Sequence, residues 1–532
     1  MRYLKSGLMV ISIISSLIAC QKAEETQLVF DENISGEVGL MEEFVTTEGQ
    51  TVLGDVIDIP YSIENLLKAY ENLPAQTKSQ IDPNDIKPTH YYVRFYPKAI
   101  EELDILRNVK PYVFLSETPL DRKVVVGGSS YHDPSIPEGL PTFQYTVVPV
   151  ARWAELERTV PVEAEILIKA YIPDYDEAYT TKSEHEYGIP TSAYEALLKE
   201  AYRITGNKYE DMPETKASWH PSGRIRAYDD EISAYNPVKG VRIRGTHLLK
   251  VKETLTNSQG QFTLESFSNS VSLKIIWESD DWDIRDGLIG QATFDGPQLN
   301  NQTWFCDIDT THQKNVRYAA IHRAAYRYYY DDIGGLARPV IANKLKICQR
   351  DTYDIHGGVF NLNEATGLSS IEIFTKNSSG AYKPMNVIFF VAAHELGHAV
   401  HYSWTGSDWS DYCGSIKESW GVFTSSILFQ KEYNRTPDRY FRWPLPPDNG
   451  TSDLHYTPIF LDLYDDINQH DYYTTCPDDE VTGYTPALLN TLLIHTHTLL
   501  SLKTKVKQNK PNGVTDEMIN TLFNVYEANW IE

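Results

Sequence analysis

Three residues that can build a metal site lie within five positions of one another in an apolar segment. His394 and His398 are four residues apart, and Glu395 directly follows the first histidine. A helix is predicted over residues 387–402, and residues four apart on a helix project from one face, so both imidazoles can reach one ion. The preceding stretch VIFFVAA is strongly apolar, and burying such polar groups there without a purpose would be costly. The spacing therefore predicts a metal site on a buried helix.

These residue types favour zinc and hydrolysis. Zinc accepts neutral imidazole nitrogen at about 2.0–2.1 Å, and catalytic zinc sites combine three protein ligands with a water. Zinc lowers the pKa of that water towards 7, so a carboxylate suffices as general base near neutral pH. We therefore expect Zn²⁺ on His394 and His398, with Glu395 as the base that activates water for hydrolysis of a peptide bond.

The third ligand has to come from outside this helix. Glu418 lies 20 residues after the second histidine, at the start of a second predicted helix, residues 415–431. This arrangement resembles the thermolysin-like gluzincins, a class of zinc metallopeptidases. The resemblance covers residues 385–430 and implies that Glu418 is the third ligand. The metzincin pattern is not met, because His401 and Trp404 stand where that pattern needs glycine and histidine.

The chain departs from the gluzincin pattern at two positions. Thermolysin-like proteins usually have asparagine just before the glutamate ligand and aspartate four residues after it, where this chain has Lys417 and Val422. That aspartate would orient the first histidine through a hydrogen bond, so here the support must come from elsewhere. Asp408 and Asp411 remain alternative third ligands.

A peptidase also needs a hydrogen-bond donor for the oxyanion of its tetrahedral intermediate. Tyr484 is the first choice, because its loop, just before a helix predicted over residues 486–502, could return to the metal. The sequence leaves four rivals open: His455, His470, Tyr472 and His495. His401 lies about two turns beyond His394 on the metal helix, so we expect it beside the site or at the surface and not as a ligand.

The remaining elements of this half must position the site. Further helices are predicted over residues 314–330 and 517–530, and strands at PVIANKLKICQR and at SSIEIFT, residues 369–375. The latter strand is a candidate for the edge to which an extended peptide adds, and His356 precedes it. A few strands followed by a run of helices indicate an α+β domain over residues 301–532.

Residues 221–300 carry a different pattern. Alternating strands flank a turn at residues 257–260, and VSLKIIWE supplies another strand. The pattern Pro-x-x-Gly-Val, followed by Thr-x-x-x-Gly-x-Phe, resembles the carboxypeptidase regulatory-like, prealbumin-type β-sandwich over about 70 residues. Such modules are usually spacers, so no chemistry is expected here.

The region before the sandwich, residues 61–220, is predicted to be an α+β domain of unknown role. Strands are expected at HYYVRFYP and PYVFLSETPL, with helices over residues 98–107 and 191–204. An inhibitory or chaperoning pro-segment and a plain structural domain both remain open.

The first 20 residues have the features of an export signal. Arg2 and Lys5 precede a short apolar stretch, and Leu-Ile-Ala-Cys resembles a bacterial lipobox, which implies cleavage before Cys20 and its lipidation. An ordinary signal peptide or anchor helix is the alternative. The following QKAEE loosely resembles signals that send some Gram-negative lipoproteins to the outer surface. We expect a tether over residues 21–60 and a location in the bacterial cell envelope, at the outer membrane and its surface.

Charge and cysteine usage limit the partners. The net charge of −25 disfavours nucleic acid and anionic membrane surfaces, so membrane contact is expected through the lipid anchor alone. Four cysteines remain after the lipobox, and the pairs Cys306–Cys348 and Cys413–Cys476 are predicted, with buried free thiols as the alternative. The substrate is expected to be a peptide, a protein or a glycopeptide.

The sequence thus predicts a multidomain α+β protein. It combines an N-terminal α+β region, a prealbumin-like β-sandwich and a C-terminal, mainly helical zincin-type metallopeptidase domain with a small sheet. Two other functions stay open. One is a catalytically silent, zinc-binding adhesion or binding lipoprotein at the cell surface, and the other is a zinc hydrolase of non-peptide substrates.

Overall fold

The protein is a mixed α+β molecule with several sheets. The computed structural model describes residues 44–109, 113–173, 189–209, 219–341, 343–363, 368–437, 457–471 and 478–528. The predicted signal, Cys20 and the first part of the tether lie outside these ranges. Within them there are five sheets and twelve α-helices, and none of these helices has the length and apolar character needed to cross a membrane.

The N-terminal region contains two small sheets and five helices. Its elements are β1 (Val52–Val56), α1 (Ile63–Asn72), α2 (Ala75–Lys78), β2 (His90–Phe95), α3 (Ile100–Arg107), β3 (Arg122–Val126), β4 (Gln144–Pro149), α4 (Val150–Thr159), β5 (Ala164–Ala170) and α5 (Thr191–Ile204). Strands β4, β2 and β5 form an antiparallel sheet in that order, and β1 pairs with β3. The predicted helix over residues 191–204 is confirmed.

The strand predicted at PYVFLSETPL is wrong for its described part, residues 113–120. Only Ser116 makes a ladder contact there, an isolated bridge to Tyr145. The next residue, Glu117, turns inward to form an ion pair with Arg107 at 2.7 Å. The backbone leaves the sheet after this single bridge, and the Glu117 carboxylate instead joins α3 through Arg107.

Ten strands follow, and eight of them form two four-stranded sheets. The strands are β6 (Ser222–Asp229), β7 (Ala234–Pro237), β8 (Arg242–His247), β9 (Lys250–Leu255), β10 (Gln261–Thr263), β11 (Val271–Ile276), β12 (Trp282–Asp286), β13 (Gly290–Gln291), β14 (Thr293–Leu299) and β15 (Thr303–Ile308). One sheet has the order β10-β6-β15 with β7 beside β6, and the other β14-β11-β8-β9. A Cβ on Gly296 of β14 would lie 2.5 Å from the ring of Trp304 on β15, so the strands of the two sheets are closely packed here.

Strands β12 and β13 belong to neither of these two sheets. They form a five-stranded sheet with strands of the C-terminal half, which we call the third sheet. That half contains α6 (Gln313–Tyr330), β16 (Leu345–Tyr353), β17 (Gly358–Asn363), β18 (Leu368–Lys376), α7 (Met385–Thr405), α8 (Gly414–Tyr433), α9 (Ile459–Tyr464), α10 (Pro486–Leu493), α11 (Leu499–Gln508) and α12 (Asp516–Ala528). The third sheet has the order β13-β12-β16-β18-β17, with β12, β16 and β18 parallel and β17 antiparallel.

Two expectations for this half need correction. The strand at residues 369–375 is β18, which lies between β16 and β17, so the edge nearest the metal helix is β17 instead. The helix predicted over residues 486–502 is two helices, because His495 adopts a positive φ of 58°. Thr498 then starts α11 with a capping box to Ser501.

One hydrophobic core runs from Trp219 to Tyr526 and joins the two four-stranded sheets, the third sheet and the C-terminal helices. The predicted pair Cys306–Cys348 is wrong, because both residues are buried free thiols. They belong to different sheets, on β15 and β16. Cys476, the predicted partner of Cys413, lies outside the described residues.

A buried network of charged residues holds the N-terminal region against the third sheet. We call it the junction network: Asp104, Arg107, Glu117, Asp283, Arg285, Lys344 and Lys346. Arg107 of α3 reaches Asp283 of β12 at 3.3 Å, and Lys346 of β16 reaches Asp104 at 2.6 Å. Residues Leu249 and Val251 around β9 also pack into an N-terminal core. The N-terminal region is therefore buried against both later parts of the chain.

Candidate metal centre

Helix α7 carries the two histidines through the core. It begins after Pro384, and the carboxylate of Asp230 accepts a hydrogen bond from the Met385 amide at 2.9 Å. An acceptor at this position satisfies one of the amides that a helix start leaves unpaired. The helix is apolar along most of its length and packs against α6, α8 and the third sheet. This surrounding core leaves the imidazoles of His394 and His398 only 3% and 5% exposed.

Helix α8 brings the predicted third ligand to the same point. The carboxylate oxygen Oε2 of Glu418 lies 3.1 Å from Nε2 of His394 and 3.5 Å from Nε2 of His398. The two Nε2 atoms are 3.0 Å apart. His394, His398 and Glu418, which we call the metal cluster, have ligand atoms close enough to hold one metal ion. Asp408 and Asp411, the alternative ligands, are not part of this group.

Glu418 and the two histidines of the metal cluster interact electrostatically. Burial raises the pKa of Glu418, but His398 and His394 together outweigh this effect. The pKa is therefore below its usual value, and the carboxylate stays ionised. Burial lowers the pKa of His398, yet Glu418 outweighs this effect and raises it above its usual value. Three lone-pair-bearing atoms therefore converge on one point that a cation can occupy.

Glu395 lies beside the cluster and not in it. Its side chain is 2% exposed, and burial raises its pKa to about 8, although the charge on His398 and an interaction with the Phe360 amide act in the opposite direction. Phe360 belongs to the edge strand β17. A carboxyl group whose pKa lies near neutrality can both accept and return a proton at physiological pH.

Two glycines allow the backbone to approach these side chains closely. A Cβ on Gly421 of α8 would lie 2.6 Å from Cε1 of His394 and 2.8 Å from both its ring nitrogens. A Cβ on Gly358 of β17 would lie 2.7 Å from Cγ and Oε1 of Glu395. Neither space can be filled without moving the functional side chain. Gly421 and Gly358 therefore hold the His394 ring and the Glu395 carboxylate in place through contact with main chain.

Ring contacts replace part of the missing hydrogen-bond support. Nδ1 of His398 has no hydrogen-bond partner within the described residues. The His398 ring instead packs edge-on against His394 at 4.6 Å and against Trp409 at 5.8 Å. Packing thus fixes the second imidazole where a hydrogen bond would otherwise select its orientation.

Tyr484 does not serve the predicted role. Its side chain is fully buried, and its hydroxyl donates to the carbonyl of Val506 at 2.9 Å. That hydroxyl joins the loop before α10 to α11 and is not offered to an oxyanion. Among its rivals, His495 is mostly exposed, 3.7 Å from Asp408, and His470 lies in the 3-10 helix Gln469–Asp471. His455 and Tyr472 lie outside the described residues.

His401 was expected beside the site or at the surface, and the structure places it beside the site, fully buried. It is not a ligand: its ring packs edge-on against Trp409 at 4.8 Å and Tyr412 at 4.6 Å. The sequence analysis missed Gly421, Gly358 and Trp409. The signal for Gly358 was available in the pair Gly357-Gly358 just before a strand, because glycine there marks close approach of another group.

No protein family model matches this chain. A comparison with curated proteins also finds no similar sequence.

Proposed function

We propose that this chain is a zinc-dependent metallopeptidase of the gluzincin type. The observation that carries the proposal is the convergence of His394, His398 and Glu418 from two helices, with the carboxyl of Glu395 beside them. The distances of 3.0, 3.1 and 3.5 Å between ligand atoms are close to the roughly 3.3 Å that tetrahedral zinc imposes with bonds of about 2.05 Å. Two imidazoles and one carboxylate are also a donor set of catalytic zinc sites.

The proposed reaction assigns one proton-transfer role to this chain. His394, His398 and Glu418 would hold the zinc, which would lower the pKa of the attacking water and polarise the substrate carbonyl. Glu395 accepts a proton from the attacking water at its carboxylate, and the new C–O bond forms as the carbonyl becomes tetrahedral. Glu395 then returns that proton to the amine nitrogen as the C–N bond breaks. The raised pKa of Glu395 favours the second half of this role, in which the protonated carboxyl group is the donor.

An extended peptide has a place to bind beside Glu395. Strand β17 ends the third sheet within the described residues, and its Phe360 amide and Gly358 backbone lie against the Glu395 side chain. A peptide that adds to this edge by main-chain hydrogen bonds would bring a scissile bond towards the metal. This assigns to β17 the part that the sequence had given to residues 369–375.

The remaining parts of the proposal rest on sequence patterns. The two four-stranded sheets are consistent with a prealbumin-like spacer, and the C-terminal half with a zincin-type domain. Lipidation of Cys20 would place the enzyme in the bacterial cell envelope, at the outer membrane and its surface. Its substrates would be peptides, proteins or glycopeptides.

A catalytically silent zinc-binding lipoprotein is the second candidate. It is favoured by the hydroxyl of Tyr484, which is engaged by Val506, so that no oxyanion donor is assigned among the described residues. The two candidates differ in turnover and not in metal content.

The test compares the parent protein with Glu395→Gln. Glutamine keeps the size of the side chain but cannot accept the proton, so we expect both proteins to bind one zinc and the variant to cleave a peptide library about 10²–10⁴-fold more slowly. Metal content by elemental analysis and cleavage by mass spectrometry are the two measurements. Glu253→Gln is the matched control, since Glu253 of β9 is largely buried and pairs with Arg244 at 2.7 Å. That variant should retain the parent activity.

Each outcome has a distinct meaning. Zinc in both proteins without cleavage by either would favour the silent binding protein. Metal-dependent turnover of esters with proteins left intact would favour a hydrolase of non-peptide substrates. Absence of zinc after loading would remove the proposed function altogether.

A further inference from the structure

The metal cluster is covered by a short segment of this chain. The 3-10 helix Gly406–Asp411 follows α7 directly, and we call it the cover segment. Its Trp409 has its ring centroid 5.8 Å from that of the ligand His398 and 6.0 Å from that of Phe360 on the edge strand β17. Tyr402, one turn after His398 on α7, completes the group at 6.5 Å from Trp409. Aromatic rings thus fill the space between the cluster and the edge strand.

This space is the route that a substrate needs. A peptide that adds to β17 has to pass from the Phe360 edge to the metal ligands. With Trp409 in place, the residues His394, Glu395, His398 and Glu418 are between 2% and 7% exposed. A group this deeply buried can exchange neither substrate nor metal with solvent until a covering side chain moves.

The ends of the cover segment differ in how firmly they are held. At its far end the hydroxyl of Tyr412 accepts a hydrogen bond from the His495 amide at 2.7 Å, and the Cys413 amide donates to the His497 carbonyl at 2.8 Å. At its near end Gly406 has φ 57° and ψ −127°, and nothing lies within 4 Å of the position a Cβ would take. A glycine with positive φ and open space around it, at one end of a segment whose other end is fixed, is the arrangement of a hinge.

The covered state leaves a buried histidine unsatisfied. His401 is 0% exposed, lies under Trp409, and neither of its ring nitrogens has a hydrogen-bond partner within the described residues. A buried polar group without a partner destabilises the state that buries it. Displacement of Trp409 would let water reach this ring, so the covered state is opposed by a group that an open state would satisfy.

A cation–π contact acts in the other direction. The ammonium group of Lys417, the residue just before the ligand Glu418, lies 5.2 Å from the centroid of the Trp409 ring. The attraction between this cation and the face of the ring stabilises the covered position of Trp409. The cover segment is therefore held by Lys417 and by ring packing, and loosened by the unsatisfied His401.

We propose that the cover segment is a hinged lid, with Trp409 as the plug that closes the metal cluster and the β17 edge until substrate displaces it. This inference rests on the metal site of the proposed function. It predicts that both the exchange of the metal and the entry of peptide are limited by movement of Trp409 about Gly406.

The test uses Trp409→Ala and Gly406→Ala in the full chain, loaded with zinc. The first variant removes the plug, and the second keeps Trp409 but makes the closed backbone unfavourable for an L-residue. We expect zinc transfer to a coloured chelator to be about tenfold faster in both variants, because loss of the plug in the first and backbone strain in the second each shift the population towards the open state. Gly380→Ala is the matched control, because Gly380 also has a positive φ of 84° and no atom within 4 Å of its Cβ position.

The outcomes separate the lid from the proposed function. Faster zinc release in both variants, with Gly380→Ala like the parent, supports the lid, and equal release rates in all four proteins overturn it. If Trp409→Ala does not fold, Trp409→Phe, which shortens the plug, takes its place beside Gly406→Ala. Faster release without peptide cleavage in any protein would retain the lid and remove the peptidase. A protein that takes up no zinc would remove both.

Discussion

Two buried groups of polar residues in this protein differ in how their charges are matched. In the junction network each carboxylate has a cation at its side, such as Arg285 at 2.6 Å from Asp283 and Arg107 at 2.7 Å from Glu117. In the metal cluster the carboxylate of Glu418 faces the imidazole nitrogens of His394 and His398 at 3.1 and 3.5 Å, and no lysine or arginine pairs with it among the described residues. Both groups are buried, so burial alone does not distinguish structure from function. What distinguishes them is the partner of the carboxylate, which is an arginine or lysine in the junction network and an imidazole in the metal cluster.

The largest expected effect comes from removing one carboxylate of the junction network. Asp283→Ala leaves Arg107 and Arg285 buried without the carboxylate they share. Removing one partner of a buried ion pair typically destabilises by about 3–5 kcal/mol, so we expect a loss of this size in the free energy of unfolding. Zinc content should be unchanged in the fraction that stays folded. Denaturant unfolding and elemental analysis measure the two quantities.

An exposed ion pair provides the control for this prediction. Glu64 and Lys68 pair at 2.6 Å on the surface of α1, with side chains 77% and 59% exposed. Solvent screens such pairs, so Glu64→Ala should leave the unfolding midpoint where it is. If Asp283→Ala were equally silent, the junction network would not hold the two regions together.

The second prediction concerns the metal cluster. Gly421→Ala places a methyl group 2.6 Å from the His394 ring, which has to move away from the common point of the cluster. Displacing the support of a metal ligand typically lowers affinity about 10–100-fold, and competition with a zinc chelator measures that loss. Alanine is the better helix former by about 1 kcal/mol, so a loss of affinity could not be ascribed to a weaker helix.

Gly397→Ala is the matched variant on the facing helix. Its Cβ would meet Thr424 at 3.1–3.3 Å and no metal ligand, while the gain in helix propensity is the same. We expect parent zinc affinity here. Equal affinities in both variants would show that main-chain contact from α8 does not position His394.

The comparison also explains which parts of the site the sequence could predict. The two histidines and Glu395 follow from helical periodicity, a property of adjacent residues. Glu418 was correctly placed because its spacing after His398 matches a known arrangement. Gly421 could not be predicted, because nothing in one sequence states which face of α8 opposes His394.

The fold shows the same division between local and non-local information. Helix α5 was predicted with its observed bounds, because its pattern is local. The interior position of β18 depends on strand order, which neighbouring residues do not specify. Tyr484 was selected because its loop could return to the metal, but the hydroxyl instead satisfies the Val506 carbonyl. The pairing of Cys306 with Cys348 was wrong for a similar reason, since their strands lie in different sheets.

A third group of acidic residues has buried carboxylate oxygens but belongs to neither the junction network nor the metal cluster. Asp462, Asp465 and Asp479 each have a buried carboxylate oxygen without a hydrogen-bond partner, and no ion pair joins them to a cation within the described residues. The hydroxyl of Tyr526 donates to Asp462. Burial raises the pKa of Asp465 and of Asp479 to about 7. Lacking a matching cation, these carboxyl groups are expected to keep their protons.

The smallest expected effect follows from this proton binding. A carboxyl group with a raised pKa binds its proton more tightly in the folded than in the unfolded protein, so its contribution to stability falls as pH rises from about 4 to about 7. Asp465→Asn and Asp479→Asn mimic the protonated form, and each should flatten the decrease in Tm over this range by about 1–2 °C. The exposed neighbour Asp466 supplies the control variant, Asp466→Asn. Because zinc ligands titrate in the parent and the variants alike, the difference between their slopes is the relevant quantity. A slope unaffected by either substitution would show that neither carboxyl group binds its proton more tightly in the folded than in the unfolded protein.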